Sequence, residues 1–220
     1  ALRTLQSALG MFGPDADVVD VELVEHKAVS LLARAPAIVA GFDRHRKGKP
    51  FLRPDPRMSI AESFLYMMTG EKPSKLTSHA MDVVLILHAD HGFNASTFAS
   101  IVTISTLSDM YSAMATGIGT LKGPLHGGAN IGVMKMLEEI GDPSKAEAYV
   151  KDKLQRKEKV MGFGHRVYKA YDPRATYLKE FTRDLAEETG RTKLFDIAVK
   201  VEEVMAKEVS KRGIQPNVDF

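Results

Sequence analysis

Apolar residues recur at helical spacing along almost the whole chain, and no convincing stretch alternates with period two between turn residues. This pattern predicts an all-α protein. A first long helix is expected over residues 17–43, where Pro36 should kink or divide it. Residues 43–57 contain a glycine and three prolines, so they are predicted to form a loop.

Capping signals locate the next helices. Ser59 and Glu62 have the spacing of a capping box, in which a hydroxyl and a carboxylate satisfy free N–H groups at a helix start. A short helix is therefore predicted there, and Gly70 is expected to end it. A second, more apolar helix is predicted over residues 78–88.

A helix rich in Ala, Ser, Thr and Met is predicted from Asn94 or Ser96 to about Thr116, and its small side chains permit close helix packing. The following residues, 117–124, include three glycines and a proline. Such a cluster interrupts regular structure, so it is the best candidate for a hinge.

The charge density rises after the candidate hinge. Four amphipathic helices are predicted there, over residues 131–140, 144–158, 173–189 and 194–212. Residues 144–147 have the spacing of another capping box, and Asp172 followed by Pro173 is typical of a helix start. We expect two domains, residues 1–125 and 126–220.

Composition narrows the class of protein. The 220 residues are 44% hydrophobic and 26% charged, which is typical of a globular chain. The absence of cysteine excludes thiol catalysis, disulfides and Cys-ligated metals, and it fits a reducing compartment such as the cytoplasm. With 30 basic and 28 acidic residues, we expect no nucleic-acid partner. The uncharged stretch 93–108 is too rich in Ser and Thr to span a bilayer, so no membrane partner is expected.

Histidine placement is the main chemical signal, because the common nucleotide-binding, zinc-protease and serine-hydrolase motifs are absent. His91, His126 and His165 lie beside glycines or at element ends, where an imidazole can point into a cleft. Each of them alone is equally compatible with a packing role. His88 and His91 have no third ligand at usable spacing, so no metal is expected, and His88 is interpreted as structural.

Four segments occur together in the chain. They are His-Ala-Asp-His-Gly-Phe-Asn-Ala-Ser-Thr (88–97), Lys-Gly-Pro-Leu-His-Gly-Gly-Ala-Asn (122–130), Gly-Phe-Gly-His-Arg-Val-Tyr-Lys-Ala-Tyr-Asp-Pro-Arg (162–174) and Pro-Asn-Val-Asp (216–219). In this order and separation they resemble the citrate synthase family, in its bacterial and archaeal form, over essentially the whole chain. The resemblance implies an all-α homodimer with a large helical domain, here residues 1–125. A smaller, mobile CoA-binding domain, here residues 126–220, would close over the substrates.

The resemblance also implies an acyltransferase of the tricarboxylic acid cycle. It would condense acetyl-CoA with oxaloacetate and hydrolyse citryl-CoA to citrate and CoA, with acetyl-CoA as co-substrate and no permanently bound cofactor. In this family pattern Asp219 is the base, His126 donates to the thioester oxygen and His165 polarises the ketone. Independently, His126 precedes a predicted helix start, whose positive end favours a neutral imidazole that can still donate an N–H.

The same resemblance assigns binding roles. Oxaloacetate would contact His91 and Arg174, because a planar guanidinium suits a carboxylate. Asn217 and Ser96 correspond to supporting positions, with Ser96 orienting His126. The expected CoA contacts are Val160, Met161, Gly162, Phe163, Gly164 and Lys169.

Rival interpretations remain open at this point. One is a 2-methylcitrate synthase that takes propionyl-CoA, because one added methylene changes discrimination by only ~1–3 kcal/mol. Others are a citryl-CoA-cleaving module and a non-catalytic helical scaffold or regulatory paralogue. Family members start upstream of Ala1 and continue past Phe220, so we expect an internal fragment with little activity of its own.

Overall fold

A computed structural model describes residues 1–13, 15–18, 20–90, 92–124, 126–164, 172–209, 214–218 and 220. Within these residues there are helices, one 3₁₀ turn over Pro143–Lys145 and a single isolated β-bridge, but no strand. The prediction of an all-α fold is therefore confirmed. The helices are α1 (Leu2–Leu9), α2 (Val21–Arg46), α3 (Ile60–Thr69), α4 (Lys75–Leu87), α5 (Ala95–Ile104), α6 (Met110–Leu121), α7 (Ala129–Ile140), α8 (Ala146–Gln155), α9 (Pro173–Thr189) and α10 (Thr192–Val209).

The chain forms two compact units. The first unit comprises Ala1–His126 and the second unit comprises Gly127–Phe220. In the first unit α6 packs against both α5 and α1, and α3 packs against α2 and α4. The interpretation of the units as a large domain and a mobile CoA-binding domain stays a prediction.

Two of the predicted helix starts are confirmed at atomic detail. The Ser59 hydroxyl accepts from the Glu62 N–H while the Glu62 carboxylate accepts from the Ser59 N–H, so α3 begins with a capping box. Gly70 ends α3 with φ of 90°, a left-handed conformation that suits glycine. The Asp172 carboxylate accepts from the N–H of Arg174 and caps α9, as expected from Asp172-Pro173.

Two other expected helix starts, one from a capping box and one from the apolar pattern, are wrong. Residues 144–147 form no capping box, because the Asp142 carboxylate accepts from the Ser144 N–H and starts a 3₁₀ turn before α8. The helix predicted over 78–88 begins three residues earlier, at Lys75, where the Ser74 hydroxyl accepts from the Thr77 N–H. An Asp or Ser just outside the apolar pattern decided both starts.

Helix α2 continues through Pro36 and extends to Arg46, so Pro36 does not divide it, and a kink at Pro36 stays a prediction. The loop after it accordingly starts at residue 47 rather than 43. The buried Arg44 side chain reaches the Pro50 carbonyl oxygen at 2.5 Å and the Met68 carbonyl oxygen at 3.4 Å. The last turn of α2 thereby ties this loop to the end of α3.

The single helix predicted from about Asn94 to Thr116 is in fact two helices. Asn94 caps α5, which ends at Ile104, and Asp109 caps α6 through the Ser112 N–H. Between them the chain turns at Leu107, whose φ of 63° cannot belong to a right-handed helix. The apolar period alone did not reveal this turn.

The hinge predicted over residues 117–124 is wrong in its first half, because residues 117–121 are helical. Gly117 and Gly119 lie within α6, so they do not interrupt it. A Cβ at Gly117 would come within 2.6 Å of Ser100 Oγ on α5. Gly117 therefore serves the close packing of two helices rather than a change of direction.

The core of the second unit joins α7, α8 and α10. Its fully buried members include Val150, Ile197 and Val201, and the partly buried Phe163 and Phe220 pack against it. No helix in the described ranges combines the length and apolarity that a bilayer crossing requires.

Candidate functional site

His126, which follows α6, contacts a serine of α5 in the first unit. The Asn94 carboxamide accepts from the Ser96 N–H at 2.9 Å, which fixes Ser96 in the first turn of α5. The Ser96 Oγ lies 2.8 Å from His126 Nε2 and 3.0 Å from the Gly117 carbonyl oxygen. These contacts bring together two of the predicted site residues, Ser96 and His126. Their roles stay predictions.

The position of one proton determines what His126 can donate. The Ser96 hydroxyl has one hydrogen, which can point either to the Gly117 carbonyl oxygen or to His126 Nε2. If the hydrogen points to Gly117, then His126 Nε2 carries the ring proton and donates to Ser96. If it points to His126, the ring proton of the neutral imidazole is on Nδ1, which can donate to a ligand.

Replacing Ser96 with Ala should slow turnover about tenfold in the full-length protein, equivalent to ~1.4 kcal/mol for one lost positioning hydrogen bond. Ser100→Ala is the matched control. Ser100 lies one turn further along α5, and its Oγ lies 3.0 Å from the Ala113 carbonyl oxygen of α6, the same distance as Ser96 Oγ from the Gly117 carbonyl oxygen. Steady-state kinetics should show a loss for Ser96→Ala alone. Equal losses would mean that helix packing, not His126, is what Ser96 supports.

The expected CoA loop pairs with the C-terminal segment in the second unit. Gly164 N–H donates to the Gln215 carbonyl oxygen at 2.8 Å, and Asn217 N–H donates to the Gly162 carbonyl oxygen at 2.9 Å. Phe163 and Pro216 form an antiparallel bridge between these bonds. The Asn217 carboxamide also donates to the Gly164 carbonyl oxygen at 2.9 Å. Two predicted site segments are therefore adjacent.

The predicted CoA contacts differ in accessibility. Val160 is buried in the core of the second unit, whereas Met161 and Gly164 are partly exposed. Phe163 is partly buried, with its ring centroid 4.5 Å from that of Phe220. The loop can therefore offer backbone and Met161 to a ligand, while Val160 and Phe163 anchor it.

Gly162 is required at its position. Its φ is 81°, and a Cβ there would lie 2.7 Å from Phe220 Cβ and 2.9 Å from Val133 Cγ2. Gly162→Ala should destabilise the second unit by ~1–3 kcal/mol of backbone strain and a further ~1–3 kcal/mol of overpacking. Gly164→Ala is the control, because its φ is 83° and its nearest neighbour is Ile214 at 4.0 Å. Denaturant unfolding should show the larger loss for Gly162→Ala; equal losses would contradict the packing argument.

Arg174 is paired with the buried Asp172. Its Nε lies 3.1 Å from Asp172 Oδ1 and its Nη2 lies 2.8 Å from Oδ2, a two-pronged ion pair. The Asp172 side chain is 1% exposed and that of Arg174 is 13% exposed. The sequence analysis identified Asp172 only as a cap and missed this pairing. The sequence did contain a signal for this pair, because Asp-Pro-Arg at a helix start places Asp172 and Arg174 together at the first turn.

The pKa of the Asp172 carboxyl reflects both its burial and its hydrogen-bond donors. Burial raises the pKa of its carboxyl, but hydrogen bonds from the Arg174 side chain and backbone, the guanidinium charge and the Val218 N–H outweigh burial and hold the pKa below its ordinary value. The carboxylate is therefore charged at neutral pH.

Four predicted site residues lie outside the described residues. They are His91, His165, Lys169 and Asp219. Gly164, which precedes His165, and Val218 and Phe220, which flank Asp219, are described and belong to the paired region of the second unit. In the ranges that are described, no three histidine or acidic side chains are grouped so as to hold a metal ion.

Comparison with known proteins identifies the family. The family model described as "Citrate synthase, C-terminal domain" matches residues 1–220. "Citrate synthase 2" of Bacillus subtilis is 50% identical over the whole chain, which covers 58% of that protein, and "2-methylcitrate synthase" of Mycobacterium tuberculosis H37Rv is 44% identical with 54% covered.

Solved structures agree with the sequence relatives. The citrate synthase of Thermoplasma acidophilum, determined as a ternary complex with carboxymethyl coenzyme A and oxaloacetate, matches with a TM-score of 0.90 and 36% identity. That match covers 100% of this chain and 59% of the other. The all-helical fold of the described residues and these matches define a citrate-synthase-like helical protein. The chain belongs to the citrate synthase family, and it spans about 58% of the length of the curated relatives it matches.

Proposed function

We propose that the whole protein is a citrate synthase, an acyltransferase that joins acetyl-CoA to oxaloacetate and releases citrate and CoA. The observation that carries the proposal is the pairing of residues 162–164 with residues 215–217 beside Asp172 and Arg174. It places the expected CoA loop, Arg174 and the residues flanking Asp219 in one region of the second unit. Such an arrangement suits a reaction between a thioester and a dicarboxylate.

The proposed chemistry begins at the thioester methyl group, which is a weak carbon acid. Asp219 takes a proton from the methyl carbon while His126 donates a hydrogen bond to the thioester oxygen, where negative charge develops. Because His126 Nε2 contacts Ser96, the donor must be Nδ1–H, and the Ser96 hydroxyl must then point to Nε2. The neutral imidazole stabilises the enolate without trapping it as an ion pair.

The carbon–carbon bond then forms at the ketone of oxaloacetate. The enolate carbon attacks the ketone carbon, and the ketone oxygen receives a proton from His165, which then regains a proton from solvent. Arg174 and His91 bind the carboxylates of oxaloacetate, and Asn217 supports the loop that precedes His165 through its bond to the Gly164 carbonyl oxygen. Water finally cleaves the citryl-CoA thioester to give citrate and CoA.

Coenzyme A is proposed to bind along residues 160–164, with Lys169 contacting a phosphate as a point charge. The tight backbone of this loop, with glycines at φ of 81° and 83°, allows close approach of an adenine. No permanently bound cofactor is proposed. Residues 1–125 and 126–220 would then act as the large domain and the smaller, mobile CoA-binding domain.

We further propose a cytoplasmic homodimer. The support for a second copy is α5, none of whose residues is buried although Phe98, Ile101 and Val102 are large and apolar. An exposed apolar helix face of this kind is typical of an association surface. The absence of cysteine fits the reducing cytoplasm. Sedimentation of the full-length protein should give a dimer, and a monomer would contradict the proposal.

The decisive test is thiol release by the full-length protein with oxaloacetate and either acetyl-CoA or propionyl-CoA. We expect a higher kcat/KM with acetyl-CoA. The 44% identity to a 2-methylcitrate synthase supports the second candidate, and a preference for propionyl-CoA would establish it. Thiol release with neither substrate would favour a non-catalytic scaffold.

A further inference from the structure

The first turn of α5 carries Ser96, which contacts His126, and Asn94 holds that turn in place. The Asn94 Oδ1 accepts from the Ser96 N–H at 2.9 Å and from the Thr97 N–H at 3.1 Å, so Asn94 is the N-cap of α5. The Ser96 Oγ lies 2.8 Å from His126 Nε2. Since Asn94 and His126 both contact Ser96, the cap and the imidazole lie at the same end of the helix.

This end of α5 lies in a stretch that is nearly free of charge. Between Gly92 and Leu121 the only formally charged residue is Asp109. Neither α5, which contacts His126 through Ser96, nor α6, which precedes His126, contains a charged side chain. The ionisable groups on and around these two helices are Asp90 before α5, Asp109 and Tyr111 at the start of α6, Lys122 after α6, and Arg3 on α1, which packs against α6.

The charge of the cap affects the neighbouring imidazole. The N-terminal end of a helix is partially positive, because its first N–H groups have no partner within the helix, and this end disfavours a protonated imidazole. A carboxylate at the cap would oppose the effect, since a negative charge close to the ring favours imidazolium. Asn and Asp cap helices about equally well, so capping alone does not require the uncharged residue at Asn94.

The cap of α6 provides a comparison in the same unit. Asp109 accepts from the Ser112 N–H at 2.8 Å, so α6 has a charged cap. Helix α6 has 12 residues, which places Asp109 about 18 Å along the helix axis from the end that leads to His126. That separation exceeds the ~10 Å over which charges interact at moderate salt. The carboxylate cap is therefore remote from His126, and the carboxamide cap is close to it.

We propose that Asn94 is a positioning residue for His126, which holds Ser96 against the imidazole and, as an uncharged cap, lets the positive end of α5 keep the ring neutral. The inference rests on the proposed function, in which a neutral His126 donates from Nδ1 to the thioester oxygen. Both nitrogens of an imidazolium carry hydrogen, so Nε2 could no longer accept from Ser96. A charge introduced at the cap should therefore change the pH dependence of turnover.

The test compares Asn94→Asp with Asn94→Ser in the full-length enzyme, because both replacements preserve a cap for α5. The carboxylate of Asn94→Asp favours the protonated ring, so the acidic side of the kcat profile should move to higher pH. We expect kcat to be roughly fivefold below wild type at about pH 6 and equal to wild type at about pH 8.5. Saturating oxaloacetate removes any effect of charge repulsion on binding. Asn94→Ser should keep the pH dependence of the wild type.

Two further variants separate charge from packing. Asp109→Asn is the matched control, because it makes the reverse exchange at the distant cap, and its profile should match that of the wild type. Ala95→Asp is a second probe, because Ala95 is exposed in the first turn of α5 and its replacement leaves Asn94 intact. It should move the profile in the same direction as Asn94→Asp. Thermal unfolding of each variant shows whether the unit remains folded.

Nitrogen-15 spectra of His126 give a readout that a merely structural role would not change. At about pH 6 a larger fraction of the ring should be charged in Asn94→Asp and Ala95→Asp than in the wild type. The fraction in Asn94→Ser and Asp109→Asn should equal that of the wild type. This measurement needs no turnover, so it remains valid if the full-length protein shows no thiol release, a result that would contradict the proposed function instead.

The role of Asn94 is contradicted if the ring charge and the kcat profile of a folded Asn94→Asp match those of the wild type. An equal change in Asn94→Ser would contradict it too, since that variant adds no charge. So would an equal change in Asp109→Asn, because the effect would then not depend on distance from His126. If Asn94→Asp does not fold, Ala95→Asp decides, and an unchanged ring in that variant overturns the proposal.

Discussion

Asp219→Asn should lower kcat of the full-length enzyme about 1,000-fold, within the ~10²–10⁴ range that a positioned general base contributes. The amide has nearly the size of the carboxylate but cannot accept the methyl proton of acetyl-CoA. Oxaloacetate binding should persist, because its carboxylates are proposed to meet Arg174 and His91 rather than Asp219. Stopped-assay kinetics and calorimetric titration of oxaloacetate measure the two effects separately.

The fold should tolerate this replacement. Asn217 and Phe220, on either side of the substituted residue, are held by hydrogen bonds to residues 162 and 164 and by packing on Phe163. Asp142→Asn is the matched control, because it makes the same chemical change at a helix start of the same unit. If Asp219→Asn kept a kcat within a few-fold of Asp142→Asn, another residue would be the base.

His126→Ala should lower kcat about 10²–10³-fold, as the removal of one oxyanion donor does. The lost hydrogen bond is strongest in the transition state, when the thioester oxygen carries charge, so the KM values should change little. His26→Ala is the control, because His26 is an exposed histidine on α2 in the same unit. An equal kcat for the two variants would remove His126 from the mechanism.

The protonation of His126 can be observed directly. Nitrogen-15 spectra of the full-length enzyme should show a neutral ring with the proton on Nδ1, and Ser96 Oγ donating to Nε2. A proton on Nε2, with the Ser96 hydroxyl directed to Gly117, would leave no N–H for the thioester and would contradict the proposed role.

The two losses should not add. His126 and Asp219 are proposed to act in the same proton transfer, so the double variant His126→Ala/Asp219→Asn should be only slightly slower than Asp219→Asn alone. Multiplicative losses would instead indicate that the two residues act in separate steps.

Local capping chemistry made part of the fold predictable. Ser59 with Glu62, and Asp172 with Pro173, start helices as expected because the groups involved are at most three residues apart. The division between α5 and α6 was not predicted, because Leu107 adopts a left-handed conformation that its residue type does not indicate. The two glycines of α6 were misinterpreted for a related reason. Glycine serves close packing as well as hinges, and only the position of Ser100 on α5 distinguishes them.

The sequence by itself determined the helical class, the starts of α3, α5 and α9 and the family resemblance of the four segments, because these depend on spacing and residue type along the chain. Only the tertiary structure decided which groups meet. Ser96 lies beside His126 because α5 packs on α6 through Gly117, and the C-terminal segment pairs with residues 162–164 through Asn217. Each of these contacts links residues far apart in the chain. Hydrophobic periodicity does not specify such pairings, since it encodes which face is buried and not what that face is buried against.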